Sequence, residues 1–311
     1  MTEIEWNSAS EADWRGILEA CGRSTVEQTW GHGVASAEIG FAVDRGIVAT
    51  ADGPVGLVQA VTKRFFGLAT VTQIIRGPLW VEGGIGDAEK ARVLGHLRGR
   101  YTKGRLHFVY WVPEMPDSPD ARRMMKETGL RRVVTGYSSA WVDLAPDEDR
   151  ILENMSSQWR NMLRRGAEAQ LSIRMSNGGR DLDLLLQNYD TERRQRRYRG
   201  PSGGFIKALV EGTGVRGDIV VASAYREKAF LAGVLVIRHG DSATYQAGWT
   251  SAEGRDARAH NTLLWRCMQT LSKQGVRWLD VGGLDTTNAA GIARFKLGLG
   301  GEVFTLAGSY L

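Results

Sequence analysis

The same order of predicted elements occurs twice along this 311-residue chain, and that repetition restricts the fold more than any single motif does. Each half of the sequence gives the order β-α-α-β-β-β-α-β-α-β, in which three consecutive strands form a run between helices. Sequence identity between the halves is slight, so the repeat lies in the order of the elements. We therefore predict two domains, 1–147 and 148–311, of the α/β class, each with a mixed, mostly antiparallel sheet.

The two runs of strands are recognised by their β-branched residues and by the turn signals between them. The first run covers 41–80 and is interrupted by Asp52-Gly53 and Phe66-Gly67, which predicts an antiparallel meander. The second run covers 219–250. The seam between the domains is expected at 145–150, where a strand ends and the acidic first turn of a helix begins.

Composition identifies a globular chain and gives a first expectation about its compartment. The chain is 42% hydrophobic and 24% charged, which argues against a disordered or a disulfide-stapled protein. Its two cysteines have no pairing motif, and its first residues are acidic where a signal peptide would need bases. No stretch approaches the length of apolar residues that a membrane span requires. We therefore expect a soluble, cytoplasmic protein.

The net charge of +5 is unevenly distributed along the chain. Residues 1–60 contain three bases and nine acids, whereas 151–200 contain ten bases, all arginine. Five of those arginines fall in the run Arg193-Arg194-Gln195-Arg196-Arg197-Tyr198-Arg199. Arginine forks suit phosphate groups and Tyr198 could stack on a base, so this run is a candidate site for a tRNA backbone or a nucleotide diphosphate. The alternative is a solvated helix end whose charges complement the helix dipole.

Four segments, in order along the chain, resemble the FemAB/Fem-type family of tRNA-dependent aminoacyltransferases. They are Gln28-Thr29-Trp30 with Gly33; Arg76-Gly77-Pro78-Leu79-Trp80; Trp159-Arg160-Asn161 with Leu163-Arg164-Arg165; and Leu279-Asp280-Val281-Gly282-Gly283 followed by Gly291-Ile292 and Phe295-Lys296-Leu297-Gly298. That family is built from tandem GNAT-like (acyl-CoA N-acyltransferase-like) domains, and the repeated element order fits the same arrangement. The chain lacks a long charged heptad segment after its first half, so it is similar to the shorter, armless members.

The resemblance implies an enzyme that forms a peptide (amide) bond. The donor would be aminoacyl-tRNA as co-substrate, with no other cofactor, and the acceptor would be an amine of a cell-wall precursor, which could be nucleotide-activated, or of a related small molecule. Such a reaction needs positioning and a donor at the developing oxyanion. The resemblance gives that role to Lys296, preceded by Phe295. A surface lysine at a helix end is the alternative interpretation.

Further candidates surround this motif or precede it. Asp280 ends a strand before two glycines, where it could orient the amine or Lys296, or simply cap the turn. Arg76 precedes Gly77-Pro78 and could bind a phosphate or carboxylate, or could bind loop carbonyls as a structural residue. Strand alternation puts Tyr245 and Trp249 on one side of the second meander, where they could stack on a nucleobase or form part of the core.

An acyl-CoA-dependent GNAT N-acyltransferase is the alternative function, with CoA as the co-substrate. It requires a Gln/Arg-x-x-Gly-x-Gly/Ala loop, whose backbone N–H groups bind phosphate at a helix N-terminus. Segment 252–259 has Arg255 and then Arg258 where the first glycine should be, and the nearest match in the first half, 92–95, lies inside a predicted helix. This argues against CoA. The five histidines are scattered and no metal-ligand motif occurs, so we expect no metal site.

Overall fold

The chain divides into two compact units in a computed structural model that describes residues 2–104, 106–196 and 200–311. The first unit comprises Met1–Ser138 together with Phe304–Leu311, and the second comprises Ser139–Val303. Both are mixed α/β units with one sheet each, as the repeated element order predicts. The division differs from the expected boundary after 147, because the strand before that boundary and the last strand of the chain pair elsewhere, as described below.

The elements of the first unit follow the predicted order. They are β1 (Glu3–Trp6), α1 (Glu11–Ala20), α2 (Trp30–Glu38), β2 (Ala42–Thr50), β3 (Gly53–Phe65), β4 (Ala69–Ile75), β5 (Leu79–Trp80), α3 (Asp87–Tyr101), β6 (His107–Val112), α4 (Pro119–Glu127) and β7 (Arg132–Val134). Local chemistry accounts for the helix starts: the Ser10 hydroxyl accepts the Asp13 N–H at 3.2 Å, and the Asp13 carboxylate accepts the Ser10 N–H at 3.1 Å.

Within the described residues, the second unit repeats this plan with three additional helices. Its elements are β8 (Ser138–Asp143), α5 (Glu148–Asn154), α6 (Ser157–Glu168), β9 (Ser172–Ser176), α7 (Gly179–Gln195), α8 (Gly203–Glu211), β10 (Ile219–Arg226), β11 (Ala229–His239), β12 (Ser242–Thr250), α9 (Ala252–Asp256), α10 (Ala259–Lys273), β13 (Trp278–Asp280), α11 (Ala290–Leu297) and β14 (Glu302–Thr305). The last strand, β15 (Ser309–Tyr310), lies in the first unit.

The two sheets have the same topology. The first has the order β1-β2-β3-β4-β6-β15-β7, with β5 paired to β3, and the second has the order β9-β10-β11-β12-β13-β8-β14. Each meander pairs antiparallel, and a parallel junction follows it in each sheet, β4 with β6 and β12 with β13. The strand that ends each half of the sequence is inserted as the sixth strand of the other sheet: β8 pairs with β13, and β15 pairs with β6 and β7.

Each sheet has its own apolar core. In the second unit α10 packs on the meander strands through Leu263, Met268 and the fully buried Cys267, so this cysteine is a core residue. In the first unit the side chains of α3 pack against buried residues of β3, β4 and β6. No helix among the described residues is both long and apolar enough to cross a membrane.

Candidate active site

A tight turn follows β13 in the second unit, and Asp280 forms it. Asp280 is fully buried, and its Oδ1 accepts the Gly282 N–H at 2.8 Å and the hydroxyl of Ser139 from β8. Gly282 has a φ of +72°, which glycine adopts at little cost. Asp280 therefore caps the Gly-Gly turn, one of the two roles that the sequence left open for it.

This turn directs the Gly283 carbonyl at the side chain of Lys296. Lys296 lies in the last turn of α11, is 8% exposed, and donates from Nζ to the Gly283 carbonyl at 2.9 Å. Burial lowers the pKa of Lys296 to about 8, although the nearby Asp280 charge opposes that shift. Lys296 is consequently a buried cation near neutral pH, and not the exposed helix-end lysine of the alternative interpretation.

A chain of three hydrogen-bonding side chains lies beside Lys296. The Lys296 Nζ is 5.6 Å from the centre of the Tyr245 ring, and the Tyr245 hydroxyl is 2.8 Å from Nε2 of His260. Nδ1 of His260 is 2.7 Å from the hydroxyl of Thr250. Burial, with a smaller contribution from the Lys296 charge, lowers the pKa of His260 to about 4. At neutral pH the imidazole therefore carries one proton, and it links two hydroxyl groups as donor to one and acceptor from the other.

Phe295, which directly precedes Lys296 in α11, packs against the aromatic residues of this site. Its ring lies 5.8 Å from the ring of Trp159 and 5.4 Å from the ring of His260, the latter edge-on. A Cβ at Gly298 would come within 2.9 Å of Trp159, so the glycine permits this close packing. Two of the four segments that carry the family resemblance, the Trp159 segment and the Phe295-Lys296 segment, thus meet in the fold.

Trp249 does not join this group, and the prediction that it faces the same side as Tyr245 is wrong. The register between β11 and β12 shifts at a bulge, where Tyr245 pairs with Val236 but Ala247 pairs with Leu235. The extra residue reverses the alternation. Trp249 instead stacks on Phe230 at 5.6 Å on the face covered by α7, whereas Tyr245 reaches His260 of α10.

Arg76 is a buried ion-paired residue of the first unit. Its guanidinium donates to both carboxylate oxygens of Glu114, at 2.7 and 2.8 Å. Its backbone has a φ of +52° before the cis Gly77–Pro78 bond, and Gln28 packs against Gly77. The Arg76 guanidinium is therefore already bound by a carboxylate of the chain itself, which favours a structural role over ligand binding.

The arginine run is partly paired within its own helix. Arg193 contacts Asp190 at 2.9 Å and Arg194 contacts it at 3.7 Å, as i,i+3 and i,i+4 pairs near the end of α7. Arg194 is largely exposed, whereas Arg193 is mostly covered. Arg197 and Tyr198 lie outside the described residues, so the candidate role of this run stays a prediction.

The position expected for a CoA phosphate loop is occupied by α9. The N–H of Gly254 bonds to the Ser251 hydroxyl at 3.0 Å, and the next N–H, that of Arg255, bonds to the Ser251 carbonyl at 3.0 Å. The chain then turns through Arg258, whose φ is +54°, into α10. The N–H groups of Gly254 and Arg255 are therefore hydrogen-bonded within a helical turn, whereas a phosphate-binding loop needs N–H groups that point toward the ligand.

Sequence reasoning missed the participation of His260, Thr250 and Ser139. His260 and Thr250 are separated by α9, and Ser139 lies on a strand that enters this sheet from the other half of the sequence. Periodicity carries no signal for such contacts. Across the described ranges, no group of three or more His, Cys, Asp or Glu side chains is arranged to hold a metal ion.

Comparison with known proteins agrees with the topology. Residues 153–302, most of the second unit, match the family model of the acetyltransferase (GNAT) domain. The first unit has the same strand order. The chain consists of two GNAT-like domains. The match confirms the expected fold class and the expectation of an amide-forming acyltransferase.

Other proteins of known structure share this fold over nearly their whole length. The crystal structure of FemX aligns with a TM-score of 0.83 at 13% identity, covering 98% of this chain and 96% of FemX. A tandem GNAT protein from the clavulanic acid biosynthesis pathway aligns with a TM-score of 0.55 at 15% identity, covering 99% of this chain and 98% of that one. At these identities the likeness concerns the fold. No significant sequence match to a curated protein was found.

Proposed function

We propose that this tandem GNAT chain transfers an aminoacyl group from aminoacyl-tRNA to the amine of a cell-wall precursor or a related small acceptor. The observation that carries the proposal is the buried ammonium of Lys296, held on the Gly283 carbonyl beside Tyr245. The FemX-like fold and the helical segment at the CoA loop position support a tRNA donor over a CoA donor. Aminoacyl-tRNA is made in the cytoplasm, so the proposal implies that compartment.

Lys296 would stabilise the charge that develops during transfer. The acceptor nitrogen attacks the ester carbonyl, so a C–N bond forms and negative charge builds on the carbonyl oxygen. An ammonium has three N–H groups, of which one binds the Gly283 carbonyl, so another can donate to that oxygen. With a pKa of about 8, Lys296 remains largely protonated at neutral pH. It keeps its proton throughout the reaction.

Tyr245 would move the proton that the reaction must transfer. Breaking the ester C–O bond leaves a negative ribose oxygen, which takes a proton from the Tyr245 hydroxyl, and the acceptor nitrogen returns a proton to the Tyr245 oxygen. His260 acts through Tyr245: with its proton on Nε2, it donates to the phenolic oxygen and stabilises the transient phenolate, while Thr250 donates to Nδ1. His260 is therefore a positioning residue.

A second candidate, acyl-CoA-dependent N-acylation, is favoured by the match of 153–302 to the GNAT acetyltransferase domain. In that reaction the same Lys296 would face a thioester carbonyl. The two candidates differ in the donor, and an assay can separate them directly.

The test supplies both donors in parallel. The protein is incubated with labelled aminoacyl-tRNAs and candidate amine acceptors, and separately with labelled acyl-CoA and the same acceptors. We expect RNase-sensitive transfer that Lys296→Met abolishes and that Lys273→Met, which removes an exposed lysine of α10, leaves unchanged. Transfer from CoA alone would overturn the tRNA proposal, and full activity of Lys296→Met would overturn the role of Lys296.

A further inference from the structure

The end of the first sheet, around the turn that joins β3 to β4, carries a concentration of exposed apolar side chains. Phe66 is 98% exposed and Leu68 is 74% exposed, and four neighbours are between 41% and 49% exposed. We call these residues the hairpin-tip patch; its members are Ile39, Phe65, Phe66, Leu68, Leu106 and Phe108. Exposed apolar side chains that lie close together mark an interaction site more often than isolated surface apolar residues do.

The sheet register brings the patch together. Val71 of β4 pairs with Lys63 of β3 on one side and with Phe108 of β6 on the other, so their side chains share one face of the sheet. Phe65 and Leu106 lie two residues further toward the turn on that same face. The Lys63 ammonium binds the Ile39 carbonyl at 2.8 Å, which connects the end of α2 to this patch.

The backbone conformation at the tip indicates that the Phe66 side chain has a role other than stabilising the unit's own fold. Phe66 and Gly67 have φ values of +49° and +71°, and the Leu68 N–H closes the turn on the Phe65 carbonyl at 3.0 Å. Asparagine or aspartate followed by glycine favours such a turn, whereas a bulky side chain at positive φ is strained. The fold gains no burial from this ring in return, since Phe66 is almost fully exposed.

Bases outnumber acids around the patch, where Glu38, next to Ile39, is an exposed acid. Residues 53–81, which contain the whole hairpin, include Lys63 and Arg64 near the tip and no aspartate or glutamate. Residues 101–113, which contain the start of β6, include Lys103 and likewise no acid. Arg64 and Lys103 are exposed. An acidic protein surface or an anionic bilayer would both complement this charge.

We infer that the hairpin-tip patch docks the protein reversibly on an anionic lipid bilayer. Aromatic and leucine side chains at a turn, flanked by lysine and arginine, fit the boundary between headgroups and acyl chains, because the rings enter the apolar region while the bases stay with the phosphates. Docking of this kind requires no spanning helix. It is independent of the reaction proposed above.

The test is sedimentation of the purified protein with vesicles of phosphatidylcholine alone and of phosphatidylcholine mixed with phosphatidylglycerol. We expect binding to the anionic vesicles that weakens as salt is raised. The double variant Phe66→Asn/Leu68→Ser should lower the partition coefficient at least about tenfold. Its turn sequence becomes Asn-Gly, so its urea midpoint should equal or exceed that of the wild type.

A matched control removes apolar surface elsewhere on the same sheet. Val133→Ser/Val134→Ser changes two exposed residues of β7, an edge strand of the first sheet, and should leave vesicle binding unchanged. Leu68→Cys provides a direct reading, because Cys21 and Cys267 are both buried and an environment-sensitive dye will label the new thiol selectively. Its emission should shift to the blue with anionic vesicles.

Three outcomes would overturn the inference. The first is a wild-type protein that does not sediment with anionic vesicles, and the second is vesicle binding that the tip and β7 variants reduce equally. The third is lipid-free self-association that only the tip variant abolishes, without binding to vesicles, which would identify the patch as a contact between copies of this chain.

Discussion

Replacing Lys296 with methionine should abolish transfer and yet stabilise the fold at neutral pH. Because the pKa of Lys296 is lowered from its ordinary 10.5 to about 8, its protonated form is less stable in the folded protein than in the unfolded chain. Since each pH unit corresponds to about 1.4 kcal/mol, the cost is about 3 kcal/mol at pH 7. Methionine retains an unbranched apolar stem without the charge.

Part of that gain is offset by the lost hydrogen bond. The Gly283 carbonyl loses the donor that now lies 2.9 Å away, and an unsatisfied buried acceptor costs about 1–3 kcal/mol. The expected net effect at pH 7 is therefore between about zero and 2 kcal/mol of added stability.

The pH dependence has a definite sign. Between pH 8 and 10.5 the unfolded chain binds the Lys296 proton more tightly than the folded chain, so the wild type gains stability as pH rises through this window. The variant lacks this gain. The free energy of unfolding of the variant, relative to that of the wild type, should therefore fall by about 3 kcal/mol across this window. At its upper end the variant should be less stable than the wild type by the contribution of the lost hydrogen bond.

Urea unfolding followed by circular dichroism across this pH range measures the difference directly. Other groups titrate equally in both proteins and cancel, and Lys273→Met, at an exposed lysine, should track the wild type at every pH. A stability difference between the wild type and Lys296→Met that stays constant from pH 8 to 10.5 would refute the reasoning, as would a variant several kcal/mol less stable at pH 7.

Two further predictions concern Arg76 and the Tyr245–His260 pair. Arg76→Met should lower the free energy of unfolding, measured with urea, by about 3–5 kcal/mol because it leaves the Glu114 carboxylate unpaired. Adding Glu114→Gln should recover much of that loss. A single variant as stable as the wild type would disprove a structural ion pair. Tyr245→Phe and His260→Gln should each lower kcat about a hundredfold with little change in KM for the acceptor, and the double variant should be no slower than the slower single one. Additive losses would mean that the two side chains act separately.

The sequence predicts those features of this fold that depend on local pattern. The order of elements and the turn at Phe66-Gly67 follow from the spacing of apolar residues and from the turn glycine, and both are present. The family resemblance also indicated the segment around Lys296, which the structure packs against Trp159 and Tyr245. Whether that segment acts as proposed stays a prediction.

Features that depend on long-range pairing could not be predicted in this way. No local signal says that β8 and β15 enter opposite sheets, because each strand has the same pattern whichever neighbour it pairs with. A single extra residue in β12 reverses the side on which Trp249 lies, although strict alternation would put it beside Tyr245. His260 enters the site only because α10 packs against that strand.

Two buried cations in this chain show how the partner of a charge decides what the charge can do. The Arg76 guanidinium donates to both oxygens of the Glu114 carboxylate, so its charge is neutralised by a structural contact within the chain. The Lys296 ammonium donates to a neutral carbonyl, while the carboxylate whose charge favours it, that of Asp280, already accepts from Ser139 and from the backbone of its own turn. The lowered pKa of Lys296 records that incomplete compensation. Sequence context alone did not separate these two residues, and the difference between a neutralised and an uncompensated cation is the physical reason to assign the chemistry to Lys296.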